Sequence, residues 1–422
     1  MKLIDSCTSA CAFLAIFTQS VISETVRISL NLQPEEAFQQ WQNKYQVSYP
    51  NDEIYRIKKN IFIQNFQKIN DHNRLFYENV YSYKLELNQF SDQNDQEFAE
   101  KYLMQLPYPE EEMQFECPYK YLNQTIPSKF KDNLDWRNAT MNPAGVVAVT
   151  PVKNQASCGS CYAFSAMASM ESSLCMNKFV DNCGVWNGLS EQQVLDCGSY
   201  NMKYDSTDRE YFGYGGCNGG WQSNVWQYIY WNRGVMSSDD YPYVSGNSSY
   251  YPNSAMNVGE CMYNAAEALA IPDKIICGTT NKDGADAKLM KEALASQGAL
   301  AIGMYVNGTF RNMGKDGIYD NTEDCPDLAD TGINHAMTVV GYGQNTNGTN
   351  YWIVKNSWGT DFADNGYVKV VMGENMCGIE GNVQYTDSVM APVEVPDAPD
   401  SGHLISRNGV IGLLSMLFYA LF

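Results

Sequence analysis

Histidine is scarce in this sequence: 422 residues contain three, at positions 72, 335 and 403. Only one C-x-x-C occurs, Cys158 to Cys161, so the second ligand pair of a structural zinc site is missing and no metal site is expected. Basic residues are also few. The 28 Lys and Arg stand against 48 Asp and Glu, a formal charge of -20, which argues against nucleic acid or an anionic membrane surface as a main partner. The apolar runs Ala10 to Phe17 and Gly409 to Phe422 both fall short of the roughly 20 residues a spanning helix needs.

What is present concentrates between Lys153 and Met167, K-N-Q-A-S-C-G-S-C-Y-A-F-S-A-M. Ala163, Ala166, Met167, Met170 and Leu174 recur at helical spacing, which puts Cys161 at a helix N-terminus. Unpaired N–H groups and the positive dipole end favour thiolate there. Taken alone, a C-x-x-C is also compatible with a redox dithiol, half a zinc site, or two structural cysteines that pair elsewhere. A thioredoxin-like motif follows a strand, whereas Thr150 to Ser157 is a polar, loop-like approach.

His335 is the only histidine between residues 73 and 402 and opens the strand-like run I-N-H-A-M-T-V-V-G-Y-G. A second strand, Y-W-I-V-K-N-S-W-G, ends with Asn356 and Trp358. A lone histidine on an apolar strand is more often a core residue than a catalyst. Here a Cys, a His and an Asn each stand at the edge of a regular element, where a rigid scaffold presents chemistry.

The length predicts two or three compact units plus tails, and 44% apolar residues is ordinary for a globular chain. Thirteen cysteines point to an oxidising compartment. Lys2, the apolar run to Phe17, and Val21 and Ser23 before Glu24 read as a signal peptide over 1–23. Sequons begin at Asn123, Asn138, Asn247, Asn307 and Asn347, all glycosylation candidates on a secretory route. The expected location is therefore a lysosome- or vacuole-like compartment or the exterior. Small Ser401 and Gly402 followed by the terminal apolar run fit a GPI-attachment signal, the alternative being a tail trimmed during maturation.

Phe38, Trp41 and Tyr45 form one helical stripe and Ile57, Ile61, Phe62, Phe66 and Ile69 another, separated at Pro50 and Asn51. Residues 99–126 read as a linker, with Pro107, Pro109, Pro118 and the acidic run Glu110 to Glu112. Ser190 is the expected N-cap of a helix to Asp196, and another helix is expected near Ser223 to Asn232. Strand-like runs follow at Ala299 to Val306, Ala336 to Tyr342, Tyr351 to Lys355 and Gly366 to Val371.

Four motifs occur in order: C-G-S-C-Y at 158–162, G-C-N-G-G at 216–220, N-H-A at 334–336 and N-S-W-G at 356–359. With them, from about Gln33 to Tyr385, the chain resembles the papain family of cysteine proteases, in its cathepsin L-like branch. Phe62, Asn65, Ile69 and Asn73, then Asn88, Phe90 and Asp92, match the two propeptide signatures of that branch. Ile54, Lys58 and Glu86 depart from them. The resemblance implies an α+β, papain-like fold with a helical lobe and an antiparallel, β-barrel-like lobe, preceded by a small helical propeptide domain. It divides the chain into propeptide and linker (24–126), peptidase (127–388) and C-terminal extension (389–422).

The activity implied is endopeptidase cleavage through a Cys161 thiolate and a His335 imidazolium, oriented by Asn356 and shielded by Trp358, with Gln155 in the oxyanion hole. Gly219 and Gly220 are expected to pair with substrate backbone, and Trp221, Gln222, Gly303, Ile333 and Asn382 to surround the main pocket with a polar floor. Disulfides implied are Cys158 with Cys217, Cys197 with Cys261, and Cys325 with Cys377. Cys175 and Cys183 are close enough in sequence to pair, which leaves Cys117 and Cys277 over. Expected partners are peptide and protein substrates and the propeptide as intramolecular inhibitor, with no cofactor, membrane contact only through a lipid anchor, and a monomeric state. The linker is expected to thread the cleft backwards and be cut between about Tyr121 and Asn133. Tyr162, Ala156 and Asp361 to Ala363 stand where the family more often has Trp, Gly and Gly-Trp-Gly. A catalytically dead peptide-binding relative and a disulfide oxidoreductase are the competing classes, and exopeptidase activity stays open.

Overall fold

A computed structural model describes residues 28–105, 125–198, 215–247, 258–277, 286–325, 332–386 and 389–390. The signal-peptide and GPI expectations, Asn123 and Cys117 lie outside these residues. So does most of the two insertions, between Cys197 and Cys217 and between Tyr243 and Cys261.

Helix α1 (Pro34–Tyr45) starts on a proline and two glutamates, suited to free N–H groups and the positive dipole end. Helix α2 (Asp52–Tyr77) is capped by the Asn51 side chain, which accepts from the Ile54 N–H. The two helices cross on Phe38, Trp41 and Phe62, with ring centroids 5.1 to 6.1 Å apart. The buried asparagines of α2 satisfy backbone that would otherwise be orphaned. Asn73 exchanges two 2.8 Å hydrogen bonds with Leu85 of β1 (Tyr83–Leu85), and Asn65 donates to Ser91 O and Gln93 O at 2.9 Å. Helix α3 (Asp95–Tyr102) begins with a capping box between Asn94 and Glu97.

After β2 (Leu134–Asp135) comes α4 (Cys161–Met176), which is buried on almost every side. Its serines make that burial tolerable: Ser165 donates to Met337 O, Ser169 to Ala299 O, and Ser172 accepts from the Ala299 N–H. Helix α5 (Glu191–Gln193), N-capped by Ser190, runs into one π turn at Val194–Gly198. Then follow α6 (Gln222–Asn232), β3 (Ile271–Pro272), β4 (Ile275–Cys277), α7 (Ala287–Gln297), β5 (Leu300–Met304), α8 (Gly308–Arg311) and β6 (Met313–Gly317). Strands β7 (His335–Gln344), β8 (Asn350–Lys355), β9 (Tyr367–Val371), β10 (Val383–Thr386) and β11 (Val389–Met390) complete the chain.

A seven-stranded antiparallel sheet runs β4-β10-β5-β7-β8-β9, with β2 paired to β7. The fold is α+β and papain-like. One apolar cluster belongs to α4, the π turn after α5, and α6, with Met170, Val194, Trp226 and Ile229 among its members. The other joins the sheet to α1, α2 and α3, from Trp41 and Phe62 through Phe98 to Trp352 and Val370. The N-terminal helices therefore share a core with the sheet lobe instead of closing a separate one. β1 also pairs antiparallel with β6.

Cys158 is bonded to Cys217, Cys175 to Cys183, Cys197 to Cys261 and Cys325 to Cys377. Cys277, which the sequence left over, is also disulfide-bonded. Among the described residues Cys161 is the free thiol.

Candidate active site

Cys161 is the first residue of α4, and the loop before it is pinned by the Cys158–Cys217 bond. Gly159 is needed there: a Cβ would stand 2.5 Å from Cys217 O and 2.8 Å from Leu103 O. The Cys161 Sγ accepts from the Ala336 N–H at 3.3 Å, which sets the thiol beside the residue that follows His335.

His335 opens β7, and Asn356 follows the last residue of β8. Antiparallel pairing of these strands, Thr338 opposite Lys355, brings the two together. His335 Nε2 lies 2.9 Å from Asn356 Oδ1, and the same oxygen accepts from the Ser357 N–H at 2.8 Å. Because that oxygen is already an acceptor, Nε2 carries the proton, and Nδ1 of the neutral ring is left as the base. Nδ1 is buried with no hydrogen-bond partner. Trp358 stacks on the imidazole, with centroids 4.5 Å apart and planes 28° apart.

Gln155 is buried. Ser357 Oγ donates to its Oε1 at 2.6 Å, which turns the amide so that Nε2 donates to Cys158 O at 2.7 Å and to Tyr102 O at 2.9 Å. Residues 102–105 thus pass over the thiol. The Met104 N–H donates to Asn334 O at 3.0 Å and the Gln105 N–H to Asn218 O at 2.8 Å. Gly219, at φ 122°, faces Met104 so closely that a Cβ would stand 2.8 Å from it.

A family model described as "Papain family cysteine protease" matches residues 130–386, and one described as "Cathepsin propeptide inhibitor domain (I29)" matches residues 38–98. The chain belongs to the papain family of cysteine proteases. Mouse (Mus musculus) pro-cathepsin H is 33% identical over 361 residues, covering 86% of this chain and 93% of that protein. A cathepsin L-like proteinase of Fasciola hepatica is 32% identical, covering 82% and 91%. The solved structure of digestive procathepsin L2 proteinase from the larval midgut of Tenebrio molitor aligns with a TM-score of 0.67 at 28% identity, over 84% of this chain and 99% of that one. The chain is thus a papain-family zymogen, and its N-terminal helices are the inhibitory prosegment.

In this zymogen both site groups are fully covered. Burial pushes the Cys161 thiol up to about 12, against the backbone N–H groups of Ala336, Tyr162 and Cys161. Burial likewise pushes His335 down to about 4, against its bond to Asn356. Burial thus acts against the charged form of both groups while residues 102–105 cover them.

The expected pocket is gathered in part. A Cβ on Gly303 would meet Ile333 at 2.9 Å and Asn382 at 3.3 Å, so these three adjoin. Gln222 is buried and donates to Ile302 O, next to Gly303, at 3.0 Å. Gly220 is buried next to Gly219, and Trp221 is the half-buried N-cap residue of α6.

Sequence reasoning missed several contributors. Tyr243 OH donates to Gln155 O at 2.8 Å and lies 2.8 Å from Ser160 Oγ, bracing the nucleophile loop. Behind the site, Lys153 bridges Glu171 at 2.8 Å and Glu191 at 2.6 Å, and Lys355 donates to Thr150 O at 2.9 Å. Together with Asn356 these four charged residues border a cavity of about 20 Å³ between α4 and β7. Burial, offset by Lys153 and reinforced by Glu171, leaves the Glu191 carboxyl at about 7. No period or spacing marks these residues, because their partners come from separate elements. Among the described residues no cluster suits a metal ion, and no helix is long and apolar enough to cross a membrane.

Proposed function

We propose that removal of the prosegment yields an endopeptidase in which Cys161 is the nucleophile and His335 the base and then the acid. The observation that carries this reading is the Tyr102 carbonyl held by Gln155 Nε2: a peptide carbonyl already occupies the position where an oxyanion would need donors. In a substrate, Cys161 Sγ attacks that carbonyl carbon, and Gln155 Nε2 with the Cys161 N–H receives the negative charge. His335, its ring fixed by Asn356, protonates the leaving amine, and water then hydrolyses the thioester with His335 as base. With the cleft open, hydration returns to both groups, and thiolate beside imidazolium becomes the resting pair. The adjoining Gly303, Ile333 and Asn382 suit a moderate-sized apolar side chain.

Maturation before Leu134 fits the packing, since β2 is woven into the sheet and the Trp136 N–H donates to Val340 O at 3.0 Å. Acid release rests on Glu97, which joins α3 to α2 through a 2.8 Å bond to Lys58. Burial acts to raise its pKa, but Lys58, the Asn94 N–H and Lys101 outweigh that and hold it below the ordinary value. Its support for the prosegment's own packing is therefore present at neutral pH and lost as pH falls through the depressed value, which loosens the folded segment that covers the cleft. Asp92 works the other way, because burial raises its pKa and a proton there favours the folded form.

A secretory route is supported by nine disulfide-bonded cysteines among the ten described. Asn138, Asn247 and Asn347 are exposed and open to glycosylation. Asn307 is otherwise engaged: its Oδ1 caps α8, and its Nδ2, the atom a glycan would use, donates to Asp324 O at 3.2 Å. A monomer with or without a C-terminal lipid anchor completes the proposal.

The test is hydrolysis of a fluorogenic dipeptide amide after acid treatment, wild type against Cys161→Ala. Activity in the first alone supports the reading. Inactivity in both, with the prosegment gone, would point instead to a peptide-binding relative.

A further inference from the structure

Arg311, at the end of α8, is 1% exposed in the zymogen, yet its Nε and Nη1 groups find no hydrogen-bond acceptor among the described residues. Among the described residues its single ion pair is with Asp95 of the prosegment, at 3.1 Å, and the Phe98 ring of the prosegment covers its guanidinium at 5.4 Å. The carboxylates that oppose its charge, Asp95, Glu97 and Asp92, all belong to the segment that maturation removes. Asp95 also lies against Gly308, leaving no room for a side chain there. Maturation therefore uncovers a cation whose zymogen partners were carboxylates, on a surface shaped to seat one.

The position of Arg311 relative to the scissile bond follows from the chemistry. His335 must protonate the leaving amine, so the leaving half of the substrate departs past the imidazole, where Trp358 is stacked. Phe98 contacts Trp358 at 5.3 Å, and Phe310, next to Arg311, lies 6.1 Å from Trp358. The prosegment supports the same direction: α3 covers Trp358 and Arg311, and the chain then crosses Cys161 to reach Gly219 at the opposite end.

We propose that Arg311 forms a carboxylate-binding subsite on the leaving-group side, taking an acidic side chain of the substrate about two to three residues beyond the cleaved bond. A guanidinium with free N–H groups binds a carboxylate by charge-assisted, bidentate hydrogen bonds, and a lysine brought to the same place is repelled. The proposal rests on the protease reading above and adds the substrate class.

The test uses matured enzyme and internally quenched peptides identical except for Glu, Ala or Lys at each of the first three leaving-side positions. Wild type should cleave the best-placed Glu peptide with kcat/KM roughly tenfold above its Lys counterpart, and the ratio should shrink with added salt. Arg311→Gln should bring the ratio to about one, and Arg311→Glu should invert it. A wild-type ratio within twofold at all three positions, or a ratio unchanged in Arg311→Gln, overturns the subsite. Should the variants fail to fold, the wild-type ratio and its salt dependence decide alone. A dipeptide amide has no residue to reach Arg311, so failure to hydrolyse it would overturn the protease reading and the subsite with it. Turnover without charge preference overturns the subsite only.

Discussion

Phe98 is the prosegment side chain whose loss should loosen the zymogen most. It is 1% exposed and meets Trp358 at 5.3 Å and the Arg311 guanidinium at 5.4 Å, both on the enzyme. Its other ring contacts, Phe90 at 5.1 Å and Tyr102 at 5.4 Å, stay within the prosegment and survive its lifting. Truncating a buried phenylalanine costs about 3–5 kcal/mol. Roughly half of that falls on docking, about 2 kcal/mol, and so the opened population of Phe98→Ala should rise about 30-fold. Opening is read by alkylation of Cys161 in uncleaved zymogen at neutral pH, followed by mass spectrometry, since Cys161 is the free thiol among the described residues. When reclosing outpaces labelling, the rate reports the open fraction. A labelling rate within threefold of wild type, in a variant with unchanged circular dichroism, would refute the claim that α3 holds the cleft shut.

Gln155→Ala removes one oxyanion donor, so kcat of the matured enzyme should fall about hundredfold; steady-state kinetics on the dipeptide amide will show it. Glu97→Gln removes a contribution that operates only above the depressed pKa of Glu97. The zymogen should then convert faster at neutral pH, with a flatter pH dependence, and a profile as steep as wild type contradicts the sign. Ala156 and Ala363 have φ of 49° and 47° in the left-handed region. Ala156→Gly and Ala363→Gly should each stabilise the protein by about 1 kcal/mol in denaturant titrations.

Those two alanines illustrate how much the sequence disclosed. Both stand where the family more often has glycine, and the structure supplies the reason, a left-handed turn that the chain forms with alanine at some cost. Cys161, His335, Asn356 and Trp358 were legible because each lies at the end of a helix or strand with a strong period. Asn65 and Asn73 were legible as signature positions, and their role emerges only from the backbone of residues 85–93 that they satisfy. The hydrogen bond of Gln222 to Ile302 O was not legible, because a helix start gives no sign of which way its side chain turns. Tyr243 and the Lys153, Glu171, Glu191 and Lys355 cluster were invisible, since their partners lie far apart in sequence and come from separate loops, helices and strands. Burial by residues 102–105 was implied by resemblance, but its electrostatic consequence depends on how completely the folded chain encloses Cys161 and His335.

That consequence is the centre of the account: we propose that burial beneath the prosegment disfavours the charged Cys161 and His335 pair and that its removal lets the pair ionise. The pH profile of Cys161 alkylation, taken before and after prosegment removal, tests it most directly. The zymogen should react slowly and gain rate only in alkali, in keeping with a thiol near 12. The matured enzyme should react fast, with a plateau that begins well below the pKa of an ordinary thiol, about 8.5. Matching profiles in the two forms would contradict the account.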